Sequence, residues 1–201
     1  MNFKDLSSNK PKIKYGCAKR LTTLAKNEPD KLYPHFDYFV KMLDHENQIL
    51  KWTAIDIIGN LAKSDKMKNF DRILKKLFGL LNTGKLITAG HAVTALAGIA
   101  TVKPKYRPKI TNELLKVERY KYDTVECRNI VIGIVINAVG PFYPELKDKK
   151  AVIEFAKRQL KNRRNATRKK AEQFLKKTKK PLKIHKIEQS RTAANCMILN
   201  Y

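Results

Sequence analysis

The sequence predicts an all-α fold, an α-α superhelix of about four helix pairs closed by a C-terminal capping helix. Three observations predict it. A short apolar phrase occurs four times, as Leu21-x-x-Leu24-Ala25, Ile58-x-x-Leu61-Ala62, Leu96-x-x-Ile99-Ala100 and Ile136-x-x-Val139-Gly140. The copies follow one another at 37, 38 and 40 residues (24 to 61 to 99 to 139). Each is followed by a helix breaker (Pro29, Ser64-Asp65, Pro104, Pro141) and then by a second apolar-periodic stretch. Helix, turn and helix at this period is the pattern of stacked repeats, each burying its apolar face on the next.

The elements follow in order. Residues 1–11 are polar and end at Pro11, which predicts a flexible lead-in. The first helix is expected over Lys12 to Lys26, with Ile13, Cys17, Leu21, Leu24 and Ala25 inward at three-to-four residue spacing. Glu28 precedes Pro29 and is pushed out of the helical region, so the helix closes there. Its partner is expected over Leu32 to Leu43, burying Phe36, Phe39, Val40 and Leu43. Repeat two pairs a helix carrying Ile49, Trp52, Ile55, Ile58 and Leu61 with one carrying Phe70, Ile73, Leu74, Leu77 and Leu81. Asn82-Thr83-Gly84 then offers a left-handed stop. Repeat three packs Ala92, Val93, Leu96 and Ile99, then Ile110, Leu114 and Leu115. Gly90 and Gly98 each cost a helix about 1 kcal/mol against alanine, which points to close helix–helix approach.

Repeat four contains the β-branched run Ile130 to Ile136, strand-like on its own. The period assigns it to a helix, because Ile136 and Val139 fall where earlier copies place their core pair. A second helix over Lys149 to Leu160 and a cap over Ala166 to Lys177 complete the domain, assigned to 12–180, and 181–201 reads as a C-terminal tail.

Composition limits the function. No apolar run approaches the roughly 18–20 residues of a membrane span. The N-terminus lacks a signal-peptide pattern, and Cys17, Cys127 and Cys196 show neither even pairing nor C-x-x-C spacing. These features predict a cytoplasmic protein without structural disulfides or zinc, in which the sequon Asn165-Ala166-Thr167 is chance. No phosphate-binding glycine motif occurs, and the four histidines are scattered, so neither a cofactor nor a metal is expected. The net charge, 43 basic against 18 acidic residues or +25, favours a polyanionic partner.

The segment Leu50-Lys51-Trp52-Thr53-Ala54-Ile55-Asp56-Ile57-Ile58-Gly59-Asn60-Leu61-Ala62 is similar to the first helix of the HEAT-repeat family, and the resemblance extends loosely over residues 12 to 177. It implies a superhelix whose second helices line the concave side, used for binding or scaffolding. Some HEAT-like proteins are alkylpurine DNA glycosylases with a helix-borne aspartate beside tryptophans. That resemblance makes Trp52 and Asp56, one turn apart, the catalytic candidates. The same residues also fit an ordinary repeat helix, with Trp52 in the core or half-buried and Asp56 solvated or paired with a lysine.

The stronger expectation concerns the basic segment 157–186, where fourteen Lys and Arg face one acid, Glu172. Lys157, Arg158, Lys161, Arg163, Arg164, Arg168, Lys169, Lys170, Lys176 and Lys177, with Lys75, Lys76 and Lys116 on second helices, form the expected nucleic-acid surface. It would read backbone and shape by neutralising phosphates. The rival expectation is a protein–protein scaffold whose lysines meet an acidic protein.

Overall fold

A computed structural model describes residues 3–65 and 69–179. Residues 4–7 form one 3-10 turn that buries Leu6, and Phe3 stacks on Tyr38 with ring centroids 4.6 Å apart. The helices are α1 (Pro11–Asn27), α2 (Pro29–Leu32), α3 (Phe36–Met42), α4 (Gln48–Leu61), α5 (Phe70–Leu81), α6 (Leu86–Val102), α7 (Arg107–Leu115), α8 (Val125–Val139), α9 (Lys150–Arg158) and α10 (Asn165–Lys179). The described residues contain no strand.

The helices form two layers. In the first, α1, α4, α6, α8 and α10 pack side by side in chain order. In the second, α3 lies on α4, α5 on α6, α7 between α6 and α8, and α9 on α10. Aliphatic side chains fill the space between layers. Leu61, Leu96 and Ile99 are fully buried and Val139 nearly so, so the repeated phrase is the core. The β-branched run of repeat four lies within α8, as its period requires. Leu24, the first copy, is only partly buried: its helix α1 packs against one first-layer helix, α4, among the described residues.

Local chemistry sets the ends. The Asn47 side chain caps α4 by accepting from the Leu50 N–H at 3.1 Å, and Thr124 caps α8 by accepting from Cys127 at 3.0 Å. Gly84 takes φ of 78° after α5, the left-handed turn that glycine makes at little cost.

Three expectations are corrected. The partner helix of repeat one is interrupted: Pro34 cannot donate an intrahelical hydrogen bond, and Tyr33–His35 winds as a 3-10 turn between α2 and α3. The second helix of repeat four ends at Arg158 and continues as a 3-10 turn over Gln159–Lys161. Ile13 is exposed rather than buried, for it sits at the open start of α1.

Adjacent repeats are also joined by polar side chains about one period apart. Asn47 donates to the Tyr15 hydroxyl at 3.2 Å, Lys85 meets Asp123 at 3.1 Å, and the Thr167 hydroxyl donates to the Asn129 carbonyl at 2.8 Å. On the second layer Arg72 pairs with Asp37, Lys76 with Asp44, and Lys105 with Asp71 at 3.0 Å.

Candidate functional site: a groove across the first helices

A groove of about 820 Å³ crosses α1, α4, α6 and α8. It opens on the first-helix layer, whereas the HEAT resemblance implied a concave face of second helices. Small residues create it. A Cβ added to Gly59 would lie 2.8 Å from Ala95 Cα, so α4 and α6 approach backbone to backbone. At Gly90 the approach is looser, the Cδ1 of Ile134 on α8 lying 3.4 Å from where a Cβ would stand. The floor is mainly Leu86, Ile87, Ile130 and Ile134, and no Lys or Arg lines it.

Its polar centre is Asp56. The His91 Nδ1 lies 2.7 Å from Asp56 Oδ1, and the imidazole stacks parallel to the Trp52 indole with centroids 5.6 Å apart and planes 5° apart. The Trp52 Nε1–H donates to the buried Thr88 hydroxyl at 3.0 Å. Asp56 and Trp52 therefore share a face, as their spacing requires, but both are engaged by α6. His91, not a lysine, is the partner of Asp56. On its own helix His91 has no titratable neighbour three or four residues away, so no local pattern marks it. The available signal was the period: Asp56 and His91 are 35 residues apart, and Trp52 and Thr88 are 36. The arrangement holds a carboxylate, an imidazole and an indole together across α4 and α6. Among the described residues no three His, Cys, Asp or Glu side chains converge to hold a metal ion.

Part of the expected basic surface is engaged by partners within the fold. Lys76 pairs with Asp44 and Arg164 with Glu126. Lys116 pairs with Glu113 at 2.6 Å, Lys157 with Glu154 at 2.9 Å, and Arg158 with Glu118 at 2.7 Å. The Lys157 ammonium holds the Glu154 carboxyl below its ordinary range by hydrogen bonding, and Glu113 raises Lys116 in the same way. Arg168 turns inward, donating to the carbonyls of Asn162 and Arg163 at 2.8 and 3.1 Å. Lys75, Lys161, Arg163, Lys169, Lys170, Lys176 and Lys177 make no ion pair among the described residues. The remaining cations of the basic segment, from Lys180 on, and the tail lie outside the described residues.

Both described thiols are free. Cys17 is buried, which pushes its pKa up, and Cys127 is half-buried.

No family model and no curated protein matches the chain. Solved structures do. The crystal structure of an engineered protein aligns with 87% of this chain and 78% of its own, at 17% identity and a TM-score of 0.51. The chain is an all-α repeat solenoid. A designed armadillo repeat protein aligns more loosely, over 87% of this chain and 97% of its own, at 14% identity and a TM-score of 0.35. Likeness at these identities speaks to the fold alone. No helix among the described residues is long and apolar enough to cross a membrane.

Proposed function

We propose that this solenoid is a non-enzymatic binding module that engages a nucleic-acid backbone through its C-terminal cations. The observation that carries this reading is the set of unmatched cations at the end of the stack: Lys161, Arg163, Lys169, Lys170, Lys176 and Lys177. Lys169 and Lys176 are seven residues apart and lie opposite the buried Thr167, Ala171 and Phe174, so they face outward from the last helix. Unpaired, solvated cations neutralise phosphates at the least cost, since no internal partner must be given up. The Trp52–Asp56 pair is accounted for by its bonds to α6 and calls for no lesion-processing chemistry.

The test is the affinity for a fluorescent DNA duplex or structured RNA between about 50 and 200 mM salt, where each neutralised phosphate contributes a slope near −0.9 for duplex DNA. Replacing Arg163, Lys169, Lys170, Lys176 and Lys177 together by Gln should weaken binding and flatten that slope. Binding that is absent at low salt, or indifferent to salt, overturns the reading.

Protein docking is the second reading, favoured by a separate observation. The groove is floored by aliphatic side chains and lined by no cation, a surface unsuited to phosphates but suited to an apolar segment of another protein.

A further inference from the structure

Six large hydrophobic side chains are exposed among the described residues, and four of them stand in repeat register. Ile13, Ile49, Ile87 and Val125 are 41, 42, 52 and 53% exposed. They follow one another at 36, 38 and 38 residues (13 to 49 to 87 to 125). Each occupies one of the first three positions of a first-layer helix: α1, α4, α6 and α8. Because these helices pack side by side, the four aliphatics form a row along one edge of the layer. At about 8–10 Å per helix the row is about 24–30 Å long. Ile87 belongs to both the row and the groove, where Leu86, Ile130 and Ile134 continue the apolar surface inward.

A single exposed aliphatic is ordinary and needs no explanation. One at the same place in four successive repeats is different, because a solvent-facing position contributes nothing to the core. An apolar surface of this extent with a polar margin marks an interaction site.

The margin indicates what fits. Within three residues of the row, Lys10, Lys12, Lys14, Lys51 and Arg128 make no ion pair among the described residues. The acids in the same windows are Asp123, matched by Lys85, Glu126, matched by Arg164, and the unmatched Glu46. The row is thus bordered by excess positive charge. Its spacing selects the partner's backbone. An α-helix presents the same face every seven residues, about 10.5 Å, close to the spacing of the row. Its i+3 and i+4 side chains would enter the groove beside it. An extended strand repeats a face every 6.6–7 Å or so and falls out of step.

We propose that this row and groove dock an amphipathic helix of a partner protein, one whose apolar stripe is flanked by Asp or Glu. The proposal rests on the protein-docking reading and names its partner class; the polyanion reading concerns α10 and is independent of it.

The experiment uses the full chain and three fluorescein-labelled synthetic helices of about 22 residues, long enough for four contacts at one per seven residues. One has a Leu stripe flanked by Glu. The second has Lys in place of Glu, and the third has the composition of the first with its stripe scrambled. Anisotropy should show the acidic helix binding about tenfold more tightly than either control. Ile49→Ser and Ile87→Ser, both at exposed sites and checked for unchanged thermal unfolding, should each weaken it by about tenfold, a loss of ~1.4 kcal/mol. Equal binding of the acidic and basic helices overturns the choice of partner and leaves docking standing. Equal binding of the scrambled helix, no binding, or indifference to Ile87→Ser overturns both. A dimer of the full chain in sedimentation that Ile87→Ser abolishes makes the row a self-interface and also overturns the proposal. Duplex binding measured on the same two variants should not change.

Discussion

Two glycines with the same chemistry have opposite roles here. Gly59 is buried where α4 meets α6, and a methyl group on it would stand 2.8 Å from Ala95 Cα and Cβ. Backbone cannot yield cheaply, so Gly59→Ala should force the two helices apart and destabilise the protein by about 1–3 kcal/mol, beyond the gain in helix propensity. Gly79 lies exposed on α5 with nothing within 4 Å of its missing Cβ. Gly79→Ala should therefore stabilise by about 0.5–1 kcal/mol. Urea denaturation of both variants checks the pair; equal shifts in one direction would contradict the close approach. Sequence reading found the reason for small residues in these helices but not the tightest site. It singled out Gly90 and Gly98, whereas the closest contact is Gly59 against Ala95. A glycine's neighbour across a helix pair is set by the crossing of the two helices, and one sequence does not contain that.

At the scale of elements, Arg107 joins three pieces of the fold. It is buried at the start of α7, where its Nε donates to the Ala100 carbonyl at 2.8 Å and its Nη2 to Thr101 at 3.1 Å. These carbonyls belong to the last turn of α6, where a cation also meets the negative end of the helix dipole. Its Nη1 reaches Glu145 at 2.6 Å, in the turn before α9. Arg107→Met keeps much of the volume and removes every one of these bonds. The expected cost is about 2–4 kcal/mol, chiefly from the buried Ala100 carbonyl left without this donor. Thermal unfolding measures it, and Glu145→Gln, at an exposed carboxylate, should cost far less. The helices were legible from their apolar period, because burial repeats at a fixed angle around each axis. Breaks within them were less so: Pro34 ends α2 early through a missing N–H, a local effect inside an otherwise continuous pattern. The partners of the basic segment were hidden for a related reason. Its cations are contiguous in sequence, but Glu118 and Glu126, which neutralise two of them, lie one repeat earlier, 40 and 38 residues away.

For the molecule as a whole, alkaline pH is the condition that should weaken the stack. Tyr38, Tyr106, Tyr120, Tyr122 and Tyr143 all have phenol groups pushed above their ordinary value of 10.0, in each case first by burial. Tyr122 is shifted most, and its hydroxyl donates to the Leu81 carbonyl at 2.6 Å, linking two repeats. A raised folded pKa means that the folded state holds the proton more tightly than the unfolded one. The contribution is complete below the unfolded value near 10 and is lost as pH climbs from there toward the folded one. Stability measured in urea should therefore fall above about pH 10. Tyr122→Phe should lower stability by about 1 kcal/mol at neutral pH and make the alkaline fall shallower. A fall of unchanged steepness would remove Tyr122 as its main source.

The polar bonds between repeats also bear on whether the units are interchangeable. Each junction uses its own vocabulary: a tyrosine with an asparagine, an indole with a threonine, an aspartate with a histidine, a lysine with an aspartate. A unit moved one place along the array would keep its aliphatic packing and meet strangers at every polar position. Asp56 finds an imidazole only on the helix that follows it. The array is thus keyed rather than modular. Its order is written into the side chains, and a chain with one unit removed or inserted would need new pairings at the seam.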